Sequence, residues 1–219
     1  MKTKNLFLSL VVLGAIIALG ACSNGITGAV ETTATDLLTS DLKSGTIPVA
    51  NNLTGTIADV TIPVCVVSGT VTETETAGLL FMREEEKLAR DVYAYLYAKY
   101  KLPVFLNISK SENMHVSVVM RLIEGFNIAD NSSNTVGIYV NTRLTELYKQ
   151  LIDMGNLSVN DALKVGVLIE QTDISDLQKE LLTVQNASIK TVYTNLMAGS
   201  NAHLKAFSWN LKVRGVVYP

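Results

Sequence analysis

One stretch of the 219-residue chain constrains its fold more than any other: Ser109–Phe126, SKSENMHVSVVMRLIEGF. Taken in alternating steps of four and three, one face reads Ile108, Glu112, His115, Val119, Leu122, Phe126. That spacing places these residues on one side of an α-helix, the side a helix buries. A carboxylate and an imidazole are set into the apolar stripe three residues apart, so both reach one common point. An unpaired charge on a buried face is costly, so the pair needs a partner or a metal ion. A plainer reading competes. Ser109-Lys110-Ser111-Glu112 also fits a capping box, with Glu112 turned back to a first-turn amide and His115 a hydrogen-bonded core residue. What decides between them is whether other helices bring matching groups.

Three other stretches have the same character. A helix from about Glu73 to Tyr100 carries the stripe Leu79, Met82, Glu86, Ala89, Tyr93, Leu96, Tyr100, and Leu102-Pro103 ends it. Glu84 and Glu85 are rivals to Glu86, and Glu85 also borders the wide apolar stripe of Phe81, Leu88 and Val92; the competing reading of three successive glutamates is a solvated face. Ser158 is a good N-cap for a helix with the stripe Leu163, Gly166, Glu170, Asp173, Leu177, Leu181. A last helix, Ser188 to Lys212, carries Ile189, Val192, Leu196, Ser200, His203, Phe207, Leu211. Between the second and third long helices lie a polar crossover, Asn127 to Gly137, and a short helix, Thr142 to Met154, stopped by Gly155-Asn156.

The chain has only two histidines, and both fall on core stripes of different helices. Glu86, Glu112, Glu170 and Asp173 do the same. So many buried ionisable groups are expensive without a shared ligand. Glu-x-x-His on a bundle helix is the pattern that holds a di-iron or di-manganese centre. Carboxylate and imidazole donors without thiolate suit iron, manganese or zinc.

The chain is 48% hydrophobic, enough for one sizeable core. A formal net charge of -2 and the lack of a basic patch argue against nucleic acid as a partner. Residues 1–22 read as an export signal: Lys2 and Lys4, then an apolar run from Leu6 to Leu19 that is short for a membrane span. Leu19-Gly20-Ala21-Cys22 resembles the bacterial lipobox, in which the cysteine is acylated and anchors the chain to a membrane. The alternatives are a plain cleavable signal and an uncleaved anchor. Residues 23–72 are rich in Ser, Thr, Gly, Asn and Ala and read as a spacer, with residues 73–219 as the folded domain. Cys65, in the β-prone run TIPVCVVSG, reads as a small buried residue.

Met82–Tyr93 (MREEEKLARDVY), Asn107–His115 (NISKSENMH), Ala162–Asp173 (ALKVGVLIEQTD) and Ser200–Phe207 (SNAHLKAF) together resemble an uncharacterised ferritin-like family, a domain of unknown function numbered two-two-zero-two. The resemblance covers residues 73–219. It implies an all-α fold, a four-helix bundle similar to rubrerythrin and ferritin with an extra short helix in the crossover. It also implies a di-iron carboxylate site with an oxidase-like or peroxidase-like role. Carried over residue by residue, the metal ligands are Glu86, Glu112, His115, Glu170 and His203, with Asp173 where rubrerythrins often place a second glutamate. Ser200 departs from the pattern, which has a glutamate there. No Cys-x-x-Cys module is present, so an electron donor would be a separate protein. A homodimer and a membrane contact through the lipid on Cys22 complete the expected partners. The competing class is a non-catalytic metal-binding or surface interaction module.

Overall fold

The structure is a computed structural model that describes residues 67–217. The expected signal peptide, Cys22, Cys65 and most of the spacer lie outside the described residues. Within them the protein is all-α, with five helices and no strand: α1 (Glu73–Tyr100), α2 (Pro103–Gly125), α3 (Thr142–Leu157), α4 (Val159–Thr183) and α5 (Ala187–Lys212). No helix among them is long and apolar enough to cross a membrane.

Local chemistry sets the helix ends. Thr72 caps α1 in a capping box: its Oγ1 accepts from the Glu75 amide, and Glu75 Oε2 accepts from the Thr72 amide. Lys101, at φ 55°, closes α1 in the left-handed region. Pro103 then opens α2 from its first position, where its missing N–H costs nothing. Ser109 and Glu112 therefore lie inside α2, so the capping-box reading of that stretch does not hold. Ser158 ends α3 and caps α4, accepting from the Asp161 amide at 3.1 Å. Helix α3 also runs through Gly155-Asn156 rather than stopping there. The glycine serves close packing instead: a Cβ on it would lie 2.7 Å from Leu96 Cδ2.

The end of the spacer is attached to the helices. Val67 and Val71 pack on the core, and Asn186 Nδ2 donates to the carbonyls of Ser68 and Thr70 at 2.9 and 3.2 Å.

The core has two apolar halves. One contains Leu88, Tyr93, Leu96, Phe105, Ile108, Leu163 and Phe207; the other contains Leu79, Met82, Val119, Leu122, Leu177, Ile189 and Leu196. Each of the four long helices passes from one half to the other. Between the halves each presents polar residues: Glu84–Glu86 on α1, Glu112 and His115 on α2, Glu170 and Asp173 on α4, Ser200 and His203 on α5. The order of the halves along each helix gives its direction: α1 and α5 run one way, α2 and α4 the other. Helix α1 packs most extensively on α2, and α4 on α5, while α3 lies against α4 and α1.

The segment joining α2 to α3 is held to α1 by buried charges. Glu84 accepts from the amides of Val140 and Asn141 at 2.6 and 2.9 Å. Lys87 and Asp91, both 1% exposed, pair at 2.8 Å. Lys87 Nζ also donates to Thr135 O and Ile138 O, and Asp91 accepts from the Gly137 amide and the Tyr139 hydroxyl. Arg83 pairs with Asp130 at 2.7 Å.

Candidate metal centre

The polar layer brings four helices to one place; α3 contributes nothing to it. Glu112 lies at its middle. Its Oε2 is 2.9 Å from His115 Nδ1 on the same helix, and its Oε1 is 2.7 Å from His203 Nδ1 on α5. Glu86 Oε2 lies 3.1 Å from His115 Nδ1, and Glu170 Oε2 lies 3.5 Å from His203 Nδ1. Two groups of three side chains could each hold a metal ion: Glu86, Glu112 and His115, and Glu112, Glu170 and His203, with ligand atoms within 4.8 Å of one another in each. The two imidazoles stack, with ring centroids 5.4 Å apart.

Asp173 lies beside these groups and belongs to neither. Its charge bears on Glu86, and those of Glu112, His115 and His203 bear on it. Ser200 is 1% exposed and next to Asp173, but its hydroxyl donates back to Leu196 O at 2.9 Å.

Of the three successive glutamates, Glu86 is the one that meets the histidines, yet all three are buried. Glu84 holds the start of α3. Glu85 faces Asp173 and Asp176 on α4.

The electrostatics are those of a site with more acid than base. Burial is the largest influence on Glu86, Glu170 and Asp173 and pushes each up: Glu86 well above its ordinary value, Glu170 to about 8 and Asp173 to about 7. Burial also opposes the charge on Glu112, but His115 and His203 overcome it and hold Glu112 well below the usual carboxylate range. The histidines show the reverse balance. Burial pushes both down, and the carboxylates win, Glu86 and Glu112 at His115, Glu112 and Glu170 at His203, which rises to about 9. Without a cation, protons balance the layer.

One pair of donor atoms is spent on each other, His115 Nδ1 and Glu86 Oε2 at 3.1 Å, but four others are not. Glu86 Oε1, Glu112 Oε1, Asp173 Oδ1 and His203 Nδ1 are buried without a hydrogen-bond partner. Glu112 Oε1 and His203 Nδ1 lie 2.7 Å apart. Buried orphan atoms are costly, and adjacent lone pairs that do not bond each other fit ligands of a common ion. Oxygen and imidazole donors fit iron, manganese or zinc.

Two supporting residues escape the sequence reading, and a third has two readings in it. Ser111 Oγ lies 2.9 Å from His203 Nε2. With that nitrogen donating to the hydroxyl, Nδ1 is left free to face Glu112. Gly199 gives His115 its room: a Cβ there would be 2.7 Å from His115 Nε2. Tyr93, two turns from Glu86 and read from the sequence as core or as a neighbour of the site, is both: it packs on Phe105 and Phe207 and donates to Glu170 Oε1 at 2.7 Å. Helical spacing would have put Gly199 beside the Ser200–His203 face, but nothing in the sequence links it to His115.

The family described as an uncharacterized protein domain, DUF2202, matches residues 75–219. An uncharacterized protein of Methanocaldococcus jannaschii, MJ0754, is 50% identical over 138 residues, covering 63% of this chain and 75% of that protein. The crystal structure of that hypothetical protein is similar to the present one, with a TM-score of 0.68 and 47% identity over 69% of this chain and 87% of the other. The match spans all five helices and every residue of the polar layer, and on that ground the chain belongs to the DUF2202 family.

Proposed function

We propose that the domain is a ferritin-like four-helix bundle holding iron in a two-ion carboxylate site. In this reading the protein is exported, anchored by a lipid on Cys22, and redox-active towards oxygen or peroxide. One observation carries the reading: Glu112 belongs to both groups of ligand atoms, and each of its oxygens faces a different histidine. A carboxylate shared in that way suits a pair of ions. The helix directions support the bundle, since two antiparallel pairs joined by one long crossover are a ferritin-like arrangement.

Glu86 and His115 would hold one ion, Glu170 and His203 the other, and Glu112 both. Asp173, beside the two groups but in neither, would supply the carboxylate that Ser200 lacks. Bound iron would contribute a redox couple and an open position for the oxidant. The chain's own residues exclude water with the two apolar halves, orient Glu170 through Tyr93, and fix His203 through Ser111. Manganese or zinc fits the same donors. With no Cys-x-x-Cys module in the sequence, an electron donor would in this reading be a separate protein. Export and anchoring rest on the sequence alone: the basic start, the short apolar run and the Leu19–Cys22 motif.

Ser200 favours a second reading, a non-catalytic metal-binding or surface module, because a serine replaces an ionised ligand. Elemental analysis of the full-length chain, expressed with iron and manganese supplied, separates the readings. Two equivalents per chain, lost in His115→Ala and in His203→Ala, support the two-ion site. No metal in a folded helical protein overturns it. Two equivalents with ferrous oxidation no faster than in buffer leave the non-catalytic module.

A further inference from the structure

Glu85 has no role in the arrangement so far. Glu84 uses both oxygens on the start of α3, and Glu86 meets His115. Glu85 is 7% exposed, and its Oε2 has no hydrogen-bond partner. It lines a cavity of about 30 Å³ walled mainly by leucines such as Leu88, Leu144 and Leu168. That is room for one or two waters. The acidic neighbours of Glu85 are Asp173 and Asp176, both on α4.

These three carboxylates differ in depth. Asp176 has a side chain 25% exposed and pairs with Lys179 at 2.5 Å on the surface. Asp173 is 5% exposed, beside the candidate centre, and its Oδ1 is also without a partner. Asp173 and Asp176 stand three residues apart on one face of α4, and Glu85 faces both from α1. Two carboxylate oxygens without a hydrogen-bond partner, on residues more than nine-tenths buried, each cost stability unless a proton or a cation satisfies them. The positive charge that bears on Glu85 is that of Lys179 on the surface, with a side chain 69% exposed, whereas Asp173 also feels His115 and His203 on its inner side.

We propose that Asp176, Glu85 and Asp173 form the path by which a divalent cation enters the buried centre. The proposal rests on the metal-binding reading of that centre. A cation advances along it by exchanging water for carboxylate oxygens, with no change of oxidation state. Glu85 faces Asp173 and Asp176 rather than the histidines, so it acts on the rate of entry and not on the capacity of the site.

Cobalt(II) added to the metal-free, full-length chain and followed by its visible absorption in stopped flow tests this. Glu85→Gln and Asp176→Asn are expected to slow loading by ~10-fold or more and to weaken its dependence on ionic strength. Final cobalt equivalents should stay at the wild-type value. Lys179→Gln, which frees Asp176, is expected to speed loading. Asp176 and Lys179 lie towards the surface, so their variants test the path even if Glu85→Gln does not fold. Wild-type protein that takes up no cobalt overturns the metal reading of the centre, and the path with it. Wild-type uptake with Asp176→Asn and Glu85→Gln loading at the wild-type rate overturns the path alone and leaves the centre standing. Fewer cobalt equivalents in Glu85→Gln would make Glu85 a ligand and likewise overturn the path.

Discussion

Tyr93 donates its phenolic hydrogen to Glu170 Oε1 at 2.7 Å, joining α1 to α4 through the buried layer. Tyr93 is 0% exposed and Glu170 2%. The other oxygen of Glu170 faces His203, so the tyrosine fixes which way the carboxylate presents itself. Tyr93→Phe keeps the ring against Phe105 and Phe207 and removes only the donor. It is expected to lower stability by about 1–3 kcal/mol in urea unfolding, the cost of a buried acceptor left unmade. Metal affinity is expected to fall ~10-fold or more, as when a ligand loses its supporting hydrogen bond. An unchanged affinity would mean that Tyr93 only packs.

Gly199 sits where His115 needs space. A Cβ at that position would lie 2.7 Å from Nε2 and 2.8 Å from Cε1 of the ring. Alanine favours a helix over glycine by up to ~1 kcal/mol, so Gly199→Ala should help α5 if nothing opposes it. The expected result is the opposite: the ring swings, and its Nδ1 leaves Glu86 and Glu112. Metal content should fall while far-ultraviolet circular dichroism keeps its helical form. A variant that gains stability and keeps full metal content would refute the close approach as a constraint on His115.

Lys87 is a cation 1% exposed whose partners are Asp91 and two carbonyls of the α2–α3 connection. Removing one member of a buried ion pair usually costs about 3–5 kcal/mol. Lys87→Met should fall at the low end of that range, because Asp91 keeps Arg90, the Gly137 amide and the Tyr139 hydroxyl. Hydrogen exchange should rise in residues 135–141 and remain unchanged in α5. Equal exchange in both regions would show that the pair does not hold the connection.

Periodicity made the four polar interruptions legible, because a buried stripe reveals each misfit residue on its own helix. It also located the start at Glu73 and the cap at Ser158. It could not say which interruptions meet. Glu84, Glu85 and Glu86 span about 200° around α1, so no single stripe contains them. All three are buried because α1 is covered on several sides: the crossover meets Glu84, α4 meets Glu85 and α2 meets Glu86. A run of glutamates looks like a solvated face only until that covering is known. Ser111 was hidden for a related reason. It lies off the stripe of α2, and its contact with His203 spans 92 positions of sequence. The start of α2 was misplaced because Ser109 has the composition of a cap, whereas Pro103 had already begun the helix.

In the proposed metal centre protons and a metal ion would compete for the same layer, with a sign that the shifts fix. His203 rises from 6.5 to about 9, because Glu112 and Glu170 outweigh its burial. Its contribution to stability is therefore fully present below pH 6.5 and lost as pH rises through 9. Burial raises Glu170 from 4.5 to about 8 and Asp173 from 3.8 to about 7, so the folded state binds their protons more tightly than the unfolded one. Their effect has the same sign: it is fully present below the unfolded values of 4.5 and 3.8 and is lost as pH rises through about 8 and 7. Glu112 and Glu75 set the acid limit. His115 and His203 hold Glu112 well below the usual carboxylate range; burial pushes Glu75 up, but the amides of Thr72, Asn186 and Gln185 prevail and bring Glu75 to about 2. Its contribution is present above pH 4.5 and lost as pH falls through 2. The metal-free protein should thus be most stable near pH 5 and weaken steadily to pH 9. A metal ion needs these ligands deprotonated, so its affinity should rise across the same interval. Melting curves with and without cobalt(II) at pH 6 and pH 8.5 check both trends. The metal-free Tm should be lower at pH 8.5, and the increase on adding cobalt should be larger there. An increase that does not change with pH would mean that cobalt binds outside the Glu112 layer.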